Sequence, residues 1–383
     1  MRLVIAADKF KGSLTAAEAT SRIAVGARRA DPGVDIVEIP VADGGEGTLD
    51  AALAAGFDAC TIDATGPTGR RSSARFAVRG SEAVIEMAQA SGLDLVPDGE
   101  EDARVATSFG TGELIRAALD AGCRRLILGI GGSASTDGGA GLLQALGAHL
   151  LDAAGDELPR GGGALARLEA VDLSALDHRL WDRELVLASD VDNPLVGPRG
   201  AAAVFAPQKG ADRADVEALD AALQRFVTVL EAQAGDVLPV SAARASTQPG
   251  AGAAGGVGFA AIALGAHRCA GVDVVLGFTD FSRHLDHADA VITGEGSLDQ
   301  QSLMGKAPVG VARAAAARGI PVYAVCGRTT LTDAEISAAG FAGVRALTDL
   351  EPDVERAMAV AGELLEEVAQ NLIAEIAAEN GAG

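Results

Sequence analysis

Residues 126–141, LILGIGGSASTDGGAG, constrain the fold more than any other stretch of the chain. An apolar run ends there in a loop of glycines, hydroxyls and one carboxylate, a pattern typical of a buried strand, a loop and a helix. Thr136 or Asp137 is expected to cap this helix, which continues to about Leu146. Such a loop presents backbone N–H groups to an anion, and a purely structural glycine turn is the alternative. The adjacent hydroxyls favour binding, because a structural turn seldom needs them together with a carboxylate.

Composition excludes several classes of function. With 383 residues, 49% of them hydrophobic, the chain is long enough for two domains. Its net charge of -22 repels nucleic acid and anionic membranes, so we expect neither as a partner. The four cysteines are far apart, which indicates reduced thiols, and no apolar segment is long enough for export or for spanning a bilayer. The sequence therefore predicts a soluble, cytoplasmic protein that binds small molecules, and a homo-oligomer stays open.

Lysine is rare in this chain: of 31 Lys and Arg residues, four are lysine. These are Lys9, Lys11, Lys209 and Lys306, and each lies beside a glycine-containing loop. A compact ammonium group suits the neutralisation of a phosphate or carboxylate at a crowded site. For Lys209 and Lys306, a solvated surface position is an equal alternative.

Polar loops follow the predicted strands. Residues 8–13 (DKFKGS) come directly after the first strand, and an open α/β sheet binds ligands at that end of its strands. The next strand leads into residues 40–48 (PVADGGEGT), where Asp43 and Glu46 could hold magnesium or cap the following helix. Residues 106–112 (ATSFGTG) precede another helix and form a second candidate anion-binding loop.

A further strand, predicted over residues 184–188, leads into residues 189–195 (SDVDNPL). Asp190 and Asp192 could form an Asx-turn before Pro194, or they could act as a base and a metal ligand. We favour the chemical interpretation, because glycine loops and Lys209 lie nearby in the sequence.

The pattern of apolar runs indicates an α/β fold with two domains. Buried strands of parallel character are predicted near residues 2, 34, 289, 321 and 343. They indicate one doubly wound sheet with an insertion between the second and third strands. Alternating runs between residues 61 and 87 indicate antiparallel strands in the insertion. We therefore expect a discontinuous domain formed by residues 1–60 and 285–383, and an inserted α/β domain with a mixed sheet over residues 61–284.

Helix signals complete this outline. A capping box at residues 15–18 (TAAE) predicts a helix that runs to about Ala30. An amphipathic helix is predicted over residues 212–234, and a long closing helix from about Pro352.

Two other glycine patterns resemble nucleotide-binding motifs. Residues 129–134 fit G-x-G-x-x-A, with Asp152 near the spacing of a ribose-binding acid, so an NAD-dependent dehydrogenase is an alternative. Against it, polar side chains begin the helix where that fingerprint has small residues. Residues 249–258 contain a G-x-G-x-x-G without a preceding strand, which favours a helix start packed closely on a neighbour or ligand. The sequence has no G-x-S-x-G or P-loop motif, and its histidines are scattered.

Six of the loops, taken in order, resemble the motifs of the bacterial class-1 glycerate kinases along nearly the whole chain. They are residues 8–13, 40–48, 107–112 (TSFGTG), 129–139 (GIGGSASTDGG), 189–195 and 293–302 (TGEGSLDQQS). The resemblance implies a flavodoxin-like domain with a doubly wound parallel sheet, an inserted α/β domain, and an active site in the interdomain cleft. It also implies transfer of the γ-phosphoryl group of ATP to D-glycerate with Mg²⁺.

Candidate site residues follow from these loops. We assign the base to Asp190, because it directly follows a strand and a rigid element would hold it in place. Lys11 is the second catalytic candidate, since its ammonium suits the glycerate carboxylate, for which the backbone amides of a loop are the alternative partner. The candidates for binding substrate or phosphate are Lys9, Ser108, Gly131, Gly132, Ser133, Asp137, Glu295 and Ser297. The candidate metal ligands are Asp43 and Asp192.

Three hypotheses about the function are consistent with the sequence. The resemblance favours a glycerate kinase that phosphorylates the 2-hydroxyl to give 2-phosphoglycerate, with 3-phosphoglycerate as the alternative product. The second hypothesis is the NAD-dependent dehydrogenase acting on a hydroxy acid. The third is a protein that binds small anions without catalysis.

Overall fold

The structure is a computed structural model that describes residues 1–234 and 237–381. The chain forms two compact units, each with its own apolar core. Unit 1 consists of Met1–Asp43, Asp50–Gly56 and Ala270–Gly383, and unit 2 consists of Gly44–Leu49 and Phe57–Cys269. The sequence predicts domain boundaries at 60/61 and 284/285, whereas the units change at 43/44, 49/50, 56/57 and 269/270. Residues 382 and 383 of the expected first domain lie outside the described ranges.

Thirteen strands form three sheets within the described ranges. They are β1 (Arg2–Ala7), β2 (Asp35–Glu38), β3 (Asp58–Thr65), β4 (Arg71–Arg79), β5 (Glu82–Glu86), β6 (Arg125–Gly129), β7 (His149–Leu151), β8 (Ala170–Asp172), β9 (Glu184–Ala188), β10 (His267–Cys269), β11 (Ala290–Leu298), β12 (Val322–Thr329) and β13 (Gly343–Ala346).

Fifteen α-helices accompany them in the same ranges. They are α1 (Ala16–Ala30), α2 (Thr48–Ala54), α3 (Ala88–Ser91), α4 (Phe109–Asp120), α5 (Ala140–Ala145), α6 (Ala201–Phe205), α7 (Arg213–Ala234), α8 (Ala242–Thr247), α9 (Val257–Ala263), α10 (Gly271–Phe278), α11 (Phe281–His284), α12 (Ala307–Ala316), α13 (Asp333–Ala338), α14 (Val354–Ala359) and α15 (Ala361–Gly381).

Unit 1 contains a fully parallel sheet in the order β13-β12-β11-β1-β2. β1 is the first strand in sequence and lies inside the sheet, with β2 on one side and β11 on the other. This is the flavodoxin-like order, and the expected doubly wound sheet is confirmed. β11 is longer than predicted and continues to Leu298, because its pairing with β12 extends through Glu295 and Ser297. Those two residues therefore lie on a strand and not in a loop.

The core of unit 1 joins the two ends of the chain. α1 begins at the predicted capping box, where the Thr15 side chain accepts from Glu18 N and the Glu18 side chain accepts from Thr15 N. The apolar face of α1 packs on α15, whose buried core residues include Leu365, Leu372 and Ile373. The predicted closing helix is two helices, α14 and α15, with non-helical backbone at Val360 between them.

α10 and α11 belong to unit 1, and this moves the boundary from the predicted residue 285 to residue 270. α10 packs against α12 so closely that a Cβ on Gly310 would lie 2.6 Å from Cγ2 of Val272. Periodicity could not reveal this, because it reports which face of a helix is apolar and not which core that face joins.

Unit 2 contains a mixed sheet in the order β10-β9-β6-β5-β4-β3. β3, β4 and β5 pair antiparallel, as the alternating pattern predicted, while β5, β6, β9 and β10 pair in parallel. β7 and β8 form a separate antiparallel pair. The expected mixed sheet is therefore confirmed.

Within the described ranges, no helix combines the length and the apolarity needed to cross a bilayer.

Candidate functional site

The strand order of the unit 1 sheet reverses between β1 and β11. From β1 the chain adds β2 on one side, and from β11 it adds β12 and β13 on the other. Ligands of flavodoxin-like sheets bind at the carboxyl ends of the strands at this switch point. Asp8 directly follows β1, and its backbone N–H donates to Gly294 O of β11 at 2.8 Å. Glu295 follows Gly294 in β11. Two carboxylates therefore lie where a ligand is expected in unit 1.

These carboxylates have unusual protonation behaviour. Burial, followed by the neighbouring charge of Asp43, raises the pKa of Asp8 well above its usual range. Burial likewise raises the pKa of Glu295 to about 7, and the Ser302 side chain, followed by the ammonium of Lys306, partly offsets this rise. Lys306 Nζ lies 3.8 Å from Glu295 Oε2, while the buried Glu295 Oε1 has no hydrogen-bond partner among the described residues. Unit 1 thus holds a cluster of carboxyl groups, and burial disfavours the charged forms of Asp8 and Glu295.

The other predicted site residues of unit 1 lie at the same edge of the sheet. Lys9 is half-buried, and its backbone N–H donates to Asp8 Oδ1 at 2.6 Å. Lys11 is exposed, and its backbone nitrogen lies 3.2 Å from the position of a Cβ on Gly296. Ser297 Oγ accepts from Arg328 Nε at 3.3 Å. Lys306, for which a surface position was an equal alternative, is half-buried beside Glu295.

The carboxylates of unit 1 fit a magnesium ion that is only partly held by protein. Within the described ranges, no three His, Cys, Asp or Glu side chains are arranged to hold a metal ion by themselves. Magnesium is, however, usually bound through one or two carboxylates and completed by water and substrate phosphates. Asp43 and the unpartnered oxygen of Glu295 are donors of this kind.

In unit 2, Asp137 is the centre of the glycine-hydroxyl loop, residues 129–139. Its carboxylate is fully buried. Oδ2 accepts from Ser108 N and Ser108 Oγ, both at 2.9 Å, and from Gly141 N at 3.2 Å, while Oδ1 accepts from Gly139 N at 3.0 Å. Burial raises the pKa of Asp137, and the bonds from Ser108, Gly139 and Gly141 oppose the rise. Asp137 and Ser108 thus tie the predicted anion loop to the start of α4.

The helix after this loop differs from the prediction. α5 begins at Ala140, its N-cap is Gly139 in the left-handed region at φ 75°, and its last residue is Ala145. Asp137 supplies the capping carboxylate from two residues further back, so neither Thr136 nor Asp137 occupies the N-cap position. The helix N-terminal amides are therefore already bonded, and they are not the amides available to an anion.

Amides for an anion lie earlier in the loop. Gly131 is half-buried and Gly132 is exposed in a turn with φ 71°. No acceptor among the described residues bonds the backbone N–H groups of Gly131, Gly132 and Ser133. Three successive unbonded N–H groups in a glycine turn form an anion-binding concavity.

Gly44 and Gly45, from the loop at residues 40–48, pack directly on this turn. A Cβ on Gly131 would lie 2.5 Å from Gly45 Cα, and one on Gly129 would lie 2.7 Å from Gly44 O. Glu86, at the end of β5, accepts from Leu49 N at 3.0 Å and from Gly47 N at 3.2 Å and so caps α2. The sequence offered Asp43 or Glu46 for that cap. The sequence did not predict that Glu86 caps α2, because Glu86 ends an apolar strand and nothing in β5 indicates a contact with residues 47–49.

Two further segments support the glycine-hydroxyl loop. Gly255 O accepts from Gly138 N at 2.9 Å, and a Cβ on Gly256 would lie 2.5 Å from Gly138 Cα. The glycine-rich stretch at residues 249–258 thus packs on a neighbour, as predicted.

Lys209 is fully buried, with its Nζ 2.8 Å from Ser133 Oγ and 2.6 Å from Ser135 O. The surface alternative for Lys209 is wrong, and its rarity and its Gln-Lys-Gly context were the available signals.

Asp190 and Asp192 follow β9 and are both exposed. Ser189 N donates to Cys269 O at 3.1 Å and Ser189 Oγ accepts from Val191 N at 3.3 Å, so the residues flanking Asp190 are held in place. Asp192 Oδ1 lies 2.6 Å from Nη1 of Arg268. This ion pair already neutralises the carboxylate, so Asp192 is a weaker metal candidate than Asp43.

The dehydrogenase alternative loses its main residue. Asp152, the proposed ribose-binding acid, lies in the turn after β7, and its Oδ1 accepts from Ala154 N at 2.9 Å and from Asp156 N at 3.2 Å. It acts as a turn residue, because an aspartate that bonds the backbone two residues ahead stabilises a local turn.

Comparison with known proteins gives one consistent answer. The family model described as the glycerate kinase family matches residues 3–377. A glycerate kinase of Bacillus subtilis (strain 168) is 44% identical over 381 residues, covering 98% of each chain. A glycerate 2-kinase of Escherichia coli (strain K12) is 46% identical over 335 residues, covering 85% or more of each chain.

A solved structure agrees with these sequences. The crystal structure of a protein described as a candidate glycerate kinase 2, from Salmonella typhimurium LT2, matches with a TM-score of 0.84 and 40% identity, over 99% of both chains. The family model, the Bacillus subtilis sequence and the solved structure cover nearly the full length, and the Escherichia coli sequence covers 86% of the chain. The chain belongs to the glycerate kinase family and is an enzyme of this kind.

Proposed function

We propose that this enzyme transfers the γ-phosphoryl group of ATP to the 2-hydroxyl of D-glycerate and forms 2-phosphoglycerate and ADP. The observation that carries the choice of product is the 46% identity to a relative named glycerate 2-kinase. Glycerate and ATP are then the small-molecule substrates. Formation of 3-phosphoglycerate is the alternative product of the same reaction class.

The glycine-hydroxyl loop supports the phosphoryl-transfer assignment. A phosphoryl-transfer transition state is anionic, and enzymes stabilise it mainly by positioning and by preorganised donors. The unbonded amides of Gly131, Gly132 and Ser133 supply such donors in unit 2. Asp137 and Ser108 are buried and bonded to each other, so in our proposal they hold the loop and do not contact the phosphate directly.

In unit 1, the proposal gives separate roles to the lysines and the carboxylates. Lys9 and Lys11 bind substrate anions, and Lys11 is the catalytic cation. Glu295 and Ser297 bind substrate from β11. Asp43 holds magnesium together with nucleotide phosphates. In unit 2, Asp192 acts as a metal ligand only if its pairing with Arg268 is released. Bound magnesium would supply positive charge that neutralises phosphate oxygens.

Asp190 is the proposed base. The acceptor hydroxyl must lose a proton as the phosphoryl group arrives, and a positioned aspartate carries out this step in kinases. Asp190 is exposed, so a substrate can reach it, and the hydrogen bonds of Ser189 and Val191 fix the backbone on either side.

The test is an activity measurement with product identification. Purified protein with ATP, magnesium and D-glycerate should release ADP well above the rate without glycerate, and removal of magnesium should abolish the release. Phosphorus NMR should show phosphate on the 2-hydroxyl, and enolase should consume the product without added phosphoglycerate mutase. A product that enolase consumes only after mutase is added would establish the 3-phosphate instead. ADP release with another hydroxy acid but not with glycerate would contradict the substrate.

A further inference from the structure

Lys209 is a buried lysine whose amine bonds the glycine-hydroxyl loop. It lies in the short turn between α6 and α7, its side chain is 1% exposed, and its Nζ donates to Ser133 Oγ and to Ser135 O. A lysine is almost never fully buried unless it is paired, because desolvating the ammonium is costly. Of the four lysines, all within the described ranges, only Lys209 is fully buried, and both of its hydrogen bonds go to the loop.

Two buried ionisable side chains hold the loop. Lys209 bonds Ser133 and the Ser135 carbonyl, while Asp137 bonds the amides of Gly139 and Gly141. Burial lowers the pKa of Lys209 to about 7, and the negative charge of Asp137 counteracts this shift. The loop contains five glycines in residues 129–139, which would otherwise leave its backbone free to adopt many conformations.

A role in stability alone does not explain why a lysine occupies the buried position 209. Replacing buried charges by apolar side chains of similar volume is often neutral or stabilising, so packing alone would be served by a methionine. What a methionine cannot supply is the pair of bonds to Ser133 Oγ and Ser135 O. These bonds fix the side of the loop that carries the unbonded amides of Gly131, Gly132 and Ser133.

We propose that Lys209 is a positioning residue for phosphoryl transfer: it touches no substrate, and it holds Ser133 and Ser135 so that the amides of residues 131–133 keep one arrangement for a phosphate group. This inference rests on the proposed function for its last step, the binding of a nucleotide phosphate by the loop. The holding of the loop itself does not depend on that function.

The central variants are Lys209→Met and Lys209→Gln. Methionine removes every donor at nearly the same side-chain volume, and glutamine keeps a neutral donor. Leu230→Ala is the matched control, because Leu230 is fully buried in α7 and its loss weakens the same core away from the loop. All three proteins are compared with wild type well below their melting temperatures.

Three measurements separate positioning from general stability. Hydrogen exchange of the peptide covering residues 130–141 should be faster in Lys209→Met and unchanged in Leu230→Ala. The Kd of the magnesium complex of ADP, measured by calorimetry, should rise about tenfold or more in Lys209→Met, because small misplacements of binding groups are costly. The KM for ATP should rise with a smaller fall in kcat, while Leu230→Ala leaves both constants near wild type. Lys209→Gln should lie between wild type and Lys209→Met.

These measurements distinguish a failure of the positioning role of Lys209 from a failure of the proposed function. If wild type shows no glycerate-dependent ADP release, the proposed function fails, and the hydrogen-exchange comparison still tests Lys209. If Lys209→Met folds with unchanged exchange in residues 130–141 and a Kd within twofold of wild type, the positioning role is overturned.

A measurement on wild type covers the case in which neither variant folds. The chain has four lysines, so labelling with ¹⁵N at Nζ gives a simple NMR spectrum. We expect one Nζ signal with slowly exchanging protons, from the buried Lys209, and we expect it to shift when the magnesium complex of ADP is added. A protected signal that does not respond at saturation would overturn the proposal.

Discussion

Buried ionisable side chains are the residues whose chemistry this fold changes most. In unit 1, burial raises the pKa of both Asp8 and Glu295, and in unit 2 it lowers the pKa of Lys209 to about 7. Each shift records a cost of holding a charge away from water, and perturbed groups of this kind concentrate at functional sites. Their charge states therefore link stability to pH.

Glu295→Gln should stabilise unit 1 more at high pH than at low pH. The pKa of Glu295 is about 7 in the folded protein against 4.5 as its ordinary value, so the folded state holds the proton more tightly. Stability from this group is full below 4.5 and is lost as the pH rises through 7. The free energy of unfolding of the variant relative to wild type should thus increase between these limits, by at most about 3 kcal/mol.

The measurement is urea unfolding without magnesium or nucleotide, followed through Tyr323 of β12 in a Trp181→Phe background. Glu367→Gln, at an exposed position of α15, is the control and should show no such trend. A difference between variant and wild type that stays constant with pH would contradict the raised pKa.

Asp190→Asn should lower kcat by about 10²- to 10⁴-fold, because an amide cannot accept the hydroxyl proton. Folding and the affinity for the magnesium complex of ADP should be retained. Steady-state kinetics and calorimetry check both statements, and Asp98→Asn, at an exposed loop position, serves as the control. A variant within a few-fold of wild type would favour the Asx-turn interpretation, in which the amide keeps the hydrogen bond, and Asp43 would then be tested as the base.

At the scale of elements, close backbone contact decides which glycines are required. α1 and α15 approach at Gly26, where a Cβ would overlap Glu366 O and lie 2.9 Å from Ala369 Cβ. The same contact is fastened by Glu366, which bonds Arg22 at 2.5 Å and Arg29 at 2.6 Å. Gly277, near the end of α10, has open space around the position of its Cβ.

Gly26→Ala should destabilise unit 1 by about 1–3 kcal/mol, because an overpacked helix contact forces the two backbones apart. Gly277→Ala should instead stabilise it by up to about 1 kcal/mol, since alanine has the better helix propensity and meets no neighbour. Unfolding followed through Tyr323 measures both variants. Equal effects of the two substitutions would show that helix propensity, and not the contact with α15, controls the response.

At the scale of the whole molecule, the two ends of the chain stabilise one unit. The core of unit 1 combines Leu3 and Ile5 of β1 and Ile23 of α1 with Leu365 and Leu372 of α15. Because α15 closes this core, unit 1 can complete its packing only after α15 has been synthesised.

Deleting residues 361–383 should therefore unfold unit 1 and leave unit 2 folded. Hydrogen exchange should become fast in β1, α1 and β11, while β5, β6 and α7 stay protected, since none of the core residues of unit 2 is removed. Trp181 fluorescence should still report a cooperative urea transition of unit 2. Protection retained in β1 and β11 after the deletion would show that α15 is not needed for that core.

Apolar periodicity, capping signals and glycine loops determined most of the elements. The strand at Arg2–Ala7, the capping box at Thr15, the antiparallel start of unit 2 and the composition of the glycine-hydroxyl loop are properties of neighbouring residues, so local patterns report them. Six ordered loops were also sufficient to suggest the family, because their order and spacing are written in the chain itself.

Only the tertiary structure decided which side chains meet. Lys209 reaches Ser133 across 76 residues, Glu86 caps α2 from 37 residues away, and Asp137 bonds Ser108 across 29 residues. The extra length of β11 likewise depends on its pairing with β12. No local pattern encodes such contacts, because burial and hydrogen bonding of a polar side chain depend on the segments that fold against it, and these are brought together only by the packed core.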